Sequence, residues 1–479
     1  MRAESILSFG EPLLDELLGG LRRGSLVLIA GNPGTGKTIF SAQCTYRNVI
    51  DLGLKAVYVS MAEPKHVFYQ CMQALGMDFK PLEDEGKFRF LDLASPMDPT
   101  LMEGMLEEAL KEALSLKADL LVLDSLSAVL QLLGRERTRS LVHSLFTRVV
   151  RAAGITTIAI VEVPKGSKRM GFGVEEFIAD VVLLLGRREI EARLGRELEI
   201  VKARGAEVKH PRLIYTLHGG FKLLPPMKNW RMKAAERFKP IEPRGDRYST
   251  GITDLDEVLG GYPKGGVVYL EVGENIETSQ YHLFAAPPLI NFTAMGKGVI
   301  VFPSMGIDAS VVYRVGKEYG LTDEEFKFKM RVVQPRALKT KELKERWLVE
   351  VEGRSFEDDY NVWLNSVRSL QESTGSHEVC AFMGADNIYY YYGEEPLYRF
   401  LSLESLRTRM EGGLLLVVTK PGLEPRIIKV ISNVSNIHLK LVRRRGALLI
   451  YGIKPRTELY AVLVDLSKGY AMPKLIPVV

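Results

Sequence analysis

A chain of 479 residues, 46% hydrophobic and 26% charged, is too long for one ordinary core and reads as two domains. Its net charge of +5 is mild and does not supply the concentrated basic stripe of a dedicated nucleic-acid binder. Cys44, Cys71 and Cys380 lack C-x-x-C spacing, which argues against a disulfide framework or a zinc site. No stretch reaches the length of a membrane span and Met1-Arg2-Ala3-Glu4-Ser5 has no leader character, so a cytoplasmic protein is expected.

In chain order, the first signal is Ser8-Phe9-Gly10, four residues, then Asp15-Glu16-Leu17-Leu18-Gly19-Gly20. It returns as Ser249-Thr250-Gly251, four residues, then Asp256-Glu257-Val258-Leu259-Gly260-Gly261. The repeat divides the chain into a domain over residues 1–226, a basic, proline-flanked linker over 227–246, and a second domain over 247–479. After the first copy an apolar strand, Leu26 to Ala30, runs into Gly31-Asn32-Pro33-Gly34-Thr35-Gly36-Lys37-Thr38, a full match to G-x-x-x-x-G-K-[ST]. Such a loop wraps phosphates with backbone N–H groups, and the following helix, ending near Gly53, points the positive end of its dipole at them. Lys37 adds a charge between the outer phosphates, and the Thr38 hydroxyl is the expected magnesium ligand.

The next strand, Ala56 to Ser60, leads to Met61, Ala62, Glu63 and Pro64. Glu63 could activate the water that attacks the terminal phosphate, although a Glu before Pro64 also suits a helix start. Asp119-Leu120-Leu121-Val122-Leu123-Asp124 reads as a buried strand whose terminal acid faces the ligand crevice of an open α/β sheet. Asp124 is the expected second magnesium ligand; a strand-end Asp can also cap a helix. Lys202 and Arg204, in Ile200-Val201-Lys202-Ala203-Arg204-Gly205, read on their own as exposed charges at a strand end.

With these residues in hand, residues 8–205 resemble the KaiC family of RecA-like ATPases, through the D-x-L-L-G-G run, the loop with Phe40-Ser41-Ala42-Gln43 after it, Ser60 to Pro64, Leu123-Asp124-Ser125 and the K-x-R-G pair. The resemblance implies an α/β fold of two tandem RecA-like domains, each a mostly parallel central sheet flanked by helices. It implies ATP and Mg2+ as ligands, a homo-oligomer in the form of a hexameric ring, and catalytic roles in trans for Lys202 and Arg204, with Arg204 offsetting charge on the transferring phosphoryl group. Where many relatives carry paired glutamates, Ala62 replaces the first, so slow hydrolysis is expected. A family histidine after K-x-R-G has only an offset counterpart, His210.

The second domain repeats the layout without the chemistry. Ser279 stands where the loop lysine belongs and Thr278 where its last glycine belongs; Ile307 matches Glu63, and Cys380 to Asp386 matches the strand ending at Asp124. Loss of this charge compensation argues against a second tight ATP site. Relatives that autophosphorylate do so in their second domain with ATP bound, so the resemblance implies no autokinase activity here. The expected function is therefore a slow, magnesium-dependent ATPase with a signalling or regulatory role through a protein partner. A DNA-associated RecA-type motor, with Pro164 to Arg169 as its candidate loop, and a nucleotide-held scaffold are the competing readings. Two further features are read as surface or contact: Arg443-Arg444-Arg445 as a hairpin turn, and Tyr389 to Tyr392 as core or subunit contact ahead of a base-stacking platform.

Overall fold

The fold is that of a computed structural model, described over residues 6–61, 63–93, 99–129, 134, 151–163, 178–230, 236–336 and 345–479. Ala62, the loop at 164–169 and most of the run from Gly173 to Asp180 lie outside the described residues. The chain forms two compact units, Met1–Pro226 together with Val478–Val479, and Met227–Pro477. Both are α/β, with mostly parallel sheets flanked by helices.

The strands of the first unit are β1 (Leu26–Gly31), β2 (Ala56–Ser60), β3 (Phe88–Asp92), β4 (Leu120–Asp124), β5 (Thr156–Glu162), β6 (Val181–Ile190), β7 (Arg193–Ala203), β8 (Arg212–Thr216) and β9 (Lys222–Leu224). Its helices are α1 (Pro12–Leu18), α2 (Lys37–Leu52), α3 (Lys65–Ala74), α4 (Lys80–Asp84) and α5 (Pro99–Leu116). The sheet order is β3-β2-β4-β5-β1-β6-β7-β8-β9, parallel from β3 to β6 and antiparallel beyond.

Because successive strand residues face opposite sides, the fully apolar β1 feeds two cores. Val27 and Ile29 pack with Phe40 and Val49 of α2 and Phe68 and Met72 of α3. Leu26, Leu28 and Ala30 pack with Met102, Leu106, Ala109 and Ala113 of α5 on the other face. Each large apolar side chain so buried contributes about 1.5–3 kcal/mol, which holds the carboxyl end of β1 in place beneath the loop that follows.

The repeated opening signature proves to be a helix-entry clamp. Ser8 Oγ donates to the Asp15 carboxylate, Phe9 N to Asp15 Oδ1 at 2.7 Å, and Gly10 N to Ser8 Oγ at 2.8 Å. In the second unit Ser249 donates to Asp256, Thr250 N to Asp256 Oδ1 at 2.7 Å, and Gly251 N to Ser249 Oγ at 3.0 Å. Gly10 has φ +72° and its Cβ would lie 2.7 Å from the backbone of Cys44; Gly251 has φ +77° and 2.6 Å to the Pro287 carbonyl. Only glycine fits either position, which is why the pattern is kept in both halves.

The second unit opens with the pair β10 (Arg247–Tyr248) and β11 (Tyr262–Pro263). Its main sheet holds β12 (Gly266–Val272), β13 (Gly298–Phe302), β14 (Met330–Pro335), β15 (Leu348–Val351), β16 (Val379–Gly384), β17 (Leu414–Thr419), β18 (Ile437–Arg444), β19 (Ala447–Lys454), β20 (Tyr460–Asp465) and β21 (Met472–Pro477). The order β15-β14-β13-β16-β17-β12-β18-β19-β20-β21 repeats the arrangement of the first sheet with one strand more, β15, at its parallel edge.

The segment expected as a linker, 227–246, groups with this unit. Phe238 is buried beside Tyr319 and Tyr470, Met227 and Trp230 pack on the same core, and the Arg237 guanidinium holds Glu325 at 2.8 and 3.1 Å. Its apolar residues anchor it although its composition is basic. All three cysteines are free, and among the described residues no helix is long and apolar enough to cross a membrane.

Candidate active site

The loop Gly31–Thr38 follows β1 at the carboxyl end of the parallel strands, where open α/β sheets bind their ligands. Gly34 and Gly36 take φ of +72° and +90°, conformations that only glycine adopts without strain. The helix α2 begins directly after Gly36 and has no side-chain cap, so its first N–H groups are left for a ligand. Asn32 Nδ2 donates to the Val163 carbonyl at 2.7 Å, tying the loop to the end of β5.

Lys37 is buried and its Nζ donates to the Gly31 and Asn32 carbonyls, both at 3.0 Å. Burial pulls its ammonium below the ordinary lysine value, and the carboxylates of Glu162 and Asp124 work against that shift. Asp124 ends β4 opposite Ser60 of β2. Its Oδ2 accepts from Thr38 Oγ1 at 2.7 Å and from the Tyr58 hydroxyl at 2.9 Å, and Tyr58 also meets Ser41 Oγ at 3.1 Å. Burial pushes the Asp124 carboxyl up, while the bonds from Thr38 and Tyr58 and the charge of Lys37 oppose this. Hydroxyl and carboxylate oxygens so close together are a donor set for a hard divalent cation, so these two residues fit magnesium.

Glu63 lies just past β2, its backbone fixed by Ser60: Glu63 N donates to Ser60 Oγ at 3.0 Å and Ser60 Oγ to Glu63 O at 2.7 Å. Burial and then the Asp124 charge raise its carboxyl above the ordinary range. The fold thus brings together the loop, Thr38, Asp124 and Glu63. It does not bring Lys202 and Arg204 to them. Lys202 pairs with Val182 and Ala203 with Val181, and these lie opposite Leu28 and Val27 of β1. Lys202 and Arg204 therefore sit toward the amino end of the sheet, roughly 10 and 17 Å along β1 from the level of Gly31 at 3.3 Å per residue. There Arg204 pairs with Asp180 at 3.4 Å, beside Arg151 at 2.6 Å from the same carboxylate, on a cleft of about 720 Å3 that Arg22 and Arg23 also line.

Residues with no sequence signal complete the site. Tyr58 and Ser41 orient Asp124, and Glu162 ends β5 opposite Gly31. Tyr215 donates to the Thr35 carbonyl at 2.6 Å, and Arg187 and Arg196 each donate to the Gly34 carbonyl at 3.0 Å. Each of them depends on which strands become neighbours.

The same place in the second unit is built differently. The helix Thr278–Ala294 is capped by Glu277, whose side chain accepts from the Gln280 backbone while Gln280 Oε1 accepts from Glu277 N at 3.1 Å. A carboxylate of the chain itself thus covers the helix terminus that is open in the first unit. Asp386 falls beyond β16, in the first turn of the helix Ala385–Tyr392, and accepts from Met305 N at 2.9 Å. Tyr389 and Tyr392 pack on the core, Tyr392 donating to Asp359 at 2.8 Å, while Tyr390 is exposed.

Residues 8–222 match the family model described as "ATPase: KaiC". The chain is 32% identical over 256 residues to the circadian clock oscillator protein KaiC of Synechococcus elongatus, covering 51% of this chain and 47% of that protein. It therefore spans about half the length of the KaiC relatives it matches. It is 31% identical over 210 residues to the UPF0273 protein PH0284 of Pyrococcus horikoshii, covering 41% of this chain and 84% of that protein. Among solved structures, the KaiC-like protein PH0186 of Pyrococcus horikoshii OT3 is similar, with 30% identity over 47% of this chain and 100% of that chain, and a TM-score of 0.41.

Proposed function

The chain belongs to the KaiC-like family of RecA-superfamily P-loop ATPases, and from that membership and the geometry of the loop we propose that its first unit binds ATP with magnesium and hydrolyses it slowly. The observation that carries the reading is the convergence of Lys37, Thr38 and Asp124 on one uncapped helix terminus. Loop N–H groups and Lys37 hold the phosphates; Thr38 and Asp124 hold magnesium, which when bound neutralises charge on the outer phosphates. Tyr58 keeps the Asp124 carboxylate turned to Thr38. Glu63, with its raised carboxyl, accepts a proton from the attacking water as the bond to the terminal phosphorus forms and the bridging oxygen leaves on ADP.

Arg204 completes the charge stabilisation from a neighbouring subunit, because in its own chain it lies at the far end of the sheet from the loop. The second unit keeps the fold and covers its helix terminus with Glu277, so it serves as a regulatory or signalling module without nucleotide. The arrangement favours one ATP per chain. Calorimetry with Mg-ATP tests this: one equivalent is expected per wild-type chain and none for Lys37→Ala. Two equivalents, or unchanged binding by the variant, would refute it.

A further inference from the structure

Two arginines touch the phosphate loop from outside, and the catalytic scheme above uses neither. Arg187 and Arg196 face each other across the β6–β7 pairing. Arg196 Nη1 and Arg187 Nη2 both donate to the Gly34 carbonyl, each at 3.0 Å. Arg187 is exposed, while Arg196 is 7% exposed and anchored further, its Nε donating to the Val479 carbonyl at 2.6 Å. A Cβ on Gly34 would lie 2.4 Å from the Arg187 guanidinium, so the crown of the loop is pressed against this pair. At the next residue the Tyr215 hydroxyl holds the Thr35 carbonyl in the same way, at 2.6 Å.

Each contact fixes a carbonyl of the loop on a side chain of β6, β7 or β8. A carbonyl so held sets its peptide plane, and with it the direction of the loop N–H groups that wrap an anion. A buried guanidinium that lost these acceptors would be left unsatisfied, so the contacts persist whether or not a ligand is present. The same strand that carries Arg196 near its start carries Lys202 near its end.

Resting on the reading of this loop as an ATP site, we propose that Arg196, seconded by Arg187, is the positioning residue that holds the phosphate loop in its binding conformation before nucleotide arrives. Neither side chain contacts phosphate; both act through the Gly34 carbonyl. Without them the loop samples other conformations, and apparent affinity falls by the fraction of time the binding form is lost. Once nucleotide is bound, its own contacts hold the loop, so turnover at saturation changes little.

The test compares full-length wild type, Arg196→Met, Arg196→Lys and Arg187→Met for Mg-ATP and Mg-ADP binding by calorimetry, for KM and kcat, and for melting temperature. Arg196→Met is expected to weaken ATP and ADP alike, on the order of tenfold, with KM raised in step and kcat within about twofold. Arg196→Lys restores part of the affinity, because its compact ammonium still donates to a carbonyl but does not span both acceptors as the guanidinium does. Should Arg196→Met fail to fold, the exposed Arg187→Met still gives the answer, with an expected loosening of about threefold. Unchanged affinity in a folded variant, or a fall in kcat at constant affinity, overturns the proposal. Lys37→Ala, measured alongside, separates the two ideas: if it too binds ATP normally, the loop is not the ATP site and the underlying reading has failed.

Discussion

Arg204→Ala is the perturbation that separates a ring ATPase from an isolated nucleotide-binding unit. In its own chain Arg204 follows Ala203, which pairs at the level of Val27, while the loop begins at Gly31. Five residues of strand place its backbone roughly 17 Å along the sheet from Gly31, well beyond the reach of a hydrogen bond from its own side chain. If it serves a neighbour, its loss removes a charge from the transition state alone, and kcat should fall by about 10³ to 10⁵ with ATP still bound. Lys37→Ala removes binding from its own loop and leaves its finger intact. In an equal mixture that assembles at random, about one interface in four pairs an intact loop with an intact finger, so up to about a quarter of wild-type turnover should return. Steady-state phosphate release on the two variants and their mixture reads this directly. A mixture that stays inactive, although each variant co-assembles with wild type, would return Lys202 and Arg204 to the status of surface charges.

Glu63→Gln should keep ATP bound and lower kcat by about 10² or more, read as single-turnover phosphate release; equal turnover would move the base elsewhere. Because Glu63 acts deprotonated and its carboxyl is raised by burial and by Asp124, wild-type kcat should fall with decreasing pH through that raised value. The acid limb then lies above the ordinary glutamate range, and a limb at or below about 4.3 would contradict the assigned environment.

The phosphate loop was legible because its chemistry is local: four fixed positions within eight residues set both the turn and the helix start. Asp124 was legible for a similar reason, as an acid closing an apolar run. Tyr58, Ser41 and the arginine pair were not, since each meets the site only through strand order. β1 lies between β5 and β6, which brings Glu162 and the β6–β7 hairpin beside the loop from more than a hundred residues away. The 227–246 segment misled in another way, because its lysines and arginines outweigh Phe238 and Trp230 in composition but not in burial. Asp386 matches the Asp124 strand in sequence, yet it stands in the first turn of the helix after β16, where Asp124 is the last residue of β4.

The second unit shows why a single residue does not account for a lost site. Ser279 replaces the loop lysine, yet restoring it leaves two other obstacles. Glu277 already caps the helix Thr278–Ala294, so its carboxylate stands where an anionic phosphate would lie and repels it. Thr278 replaces Gly36, whose φ of +90° a threonine adopts only with strain. Ser279→Lys alone should therefore leave calorimetry at one ATP per chain. Removing the cap in addition, with Glu277→Ala, exposes the helix terminus but costs about 0.5–2 kcal/mol of helix stability, visible as a lower melting temperature. A second equivalent of ATP bound by Ser279→Lys with the affinity of the first would show that the lysine alone was missing, and that Glu277 does not guard the site.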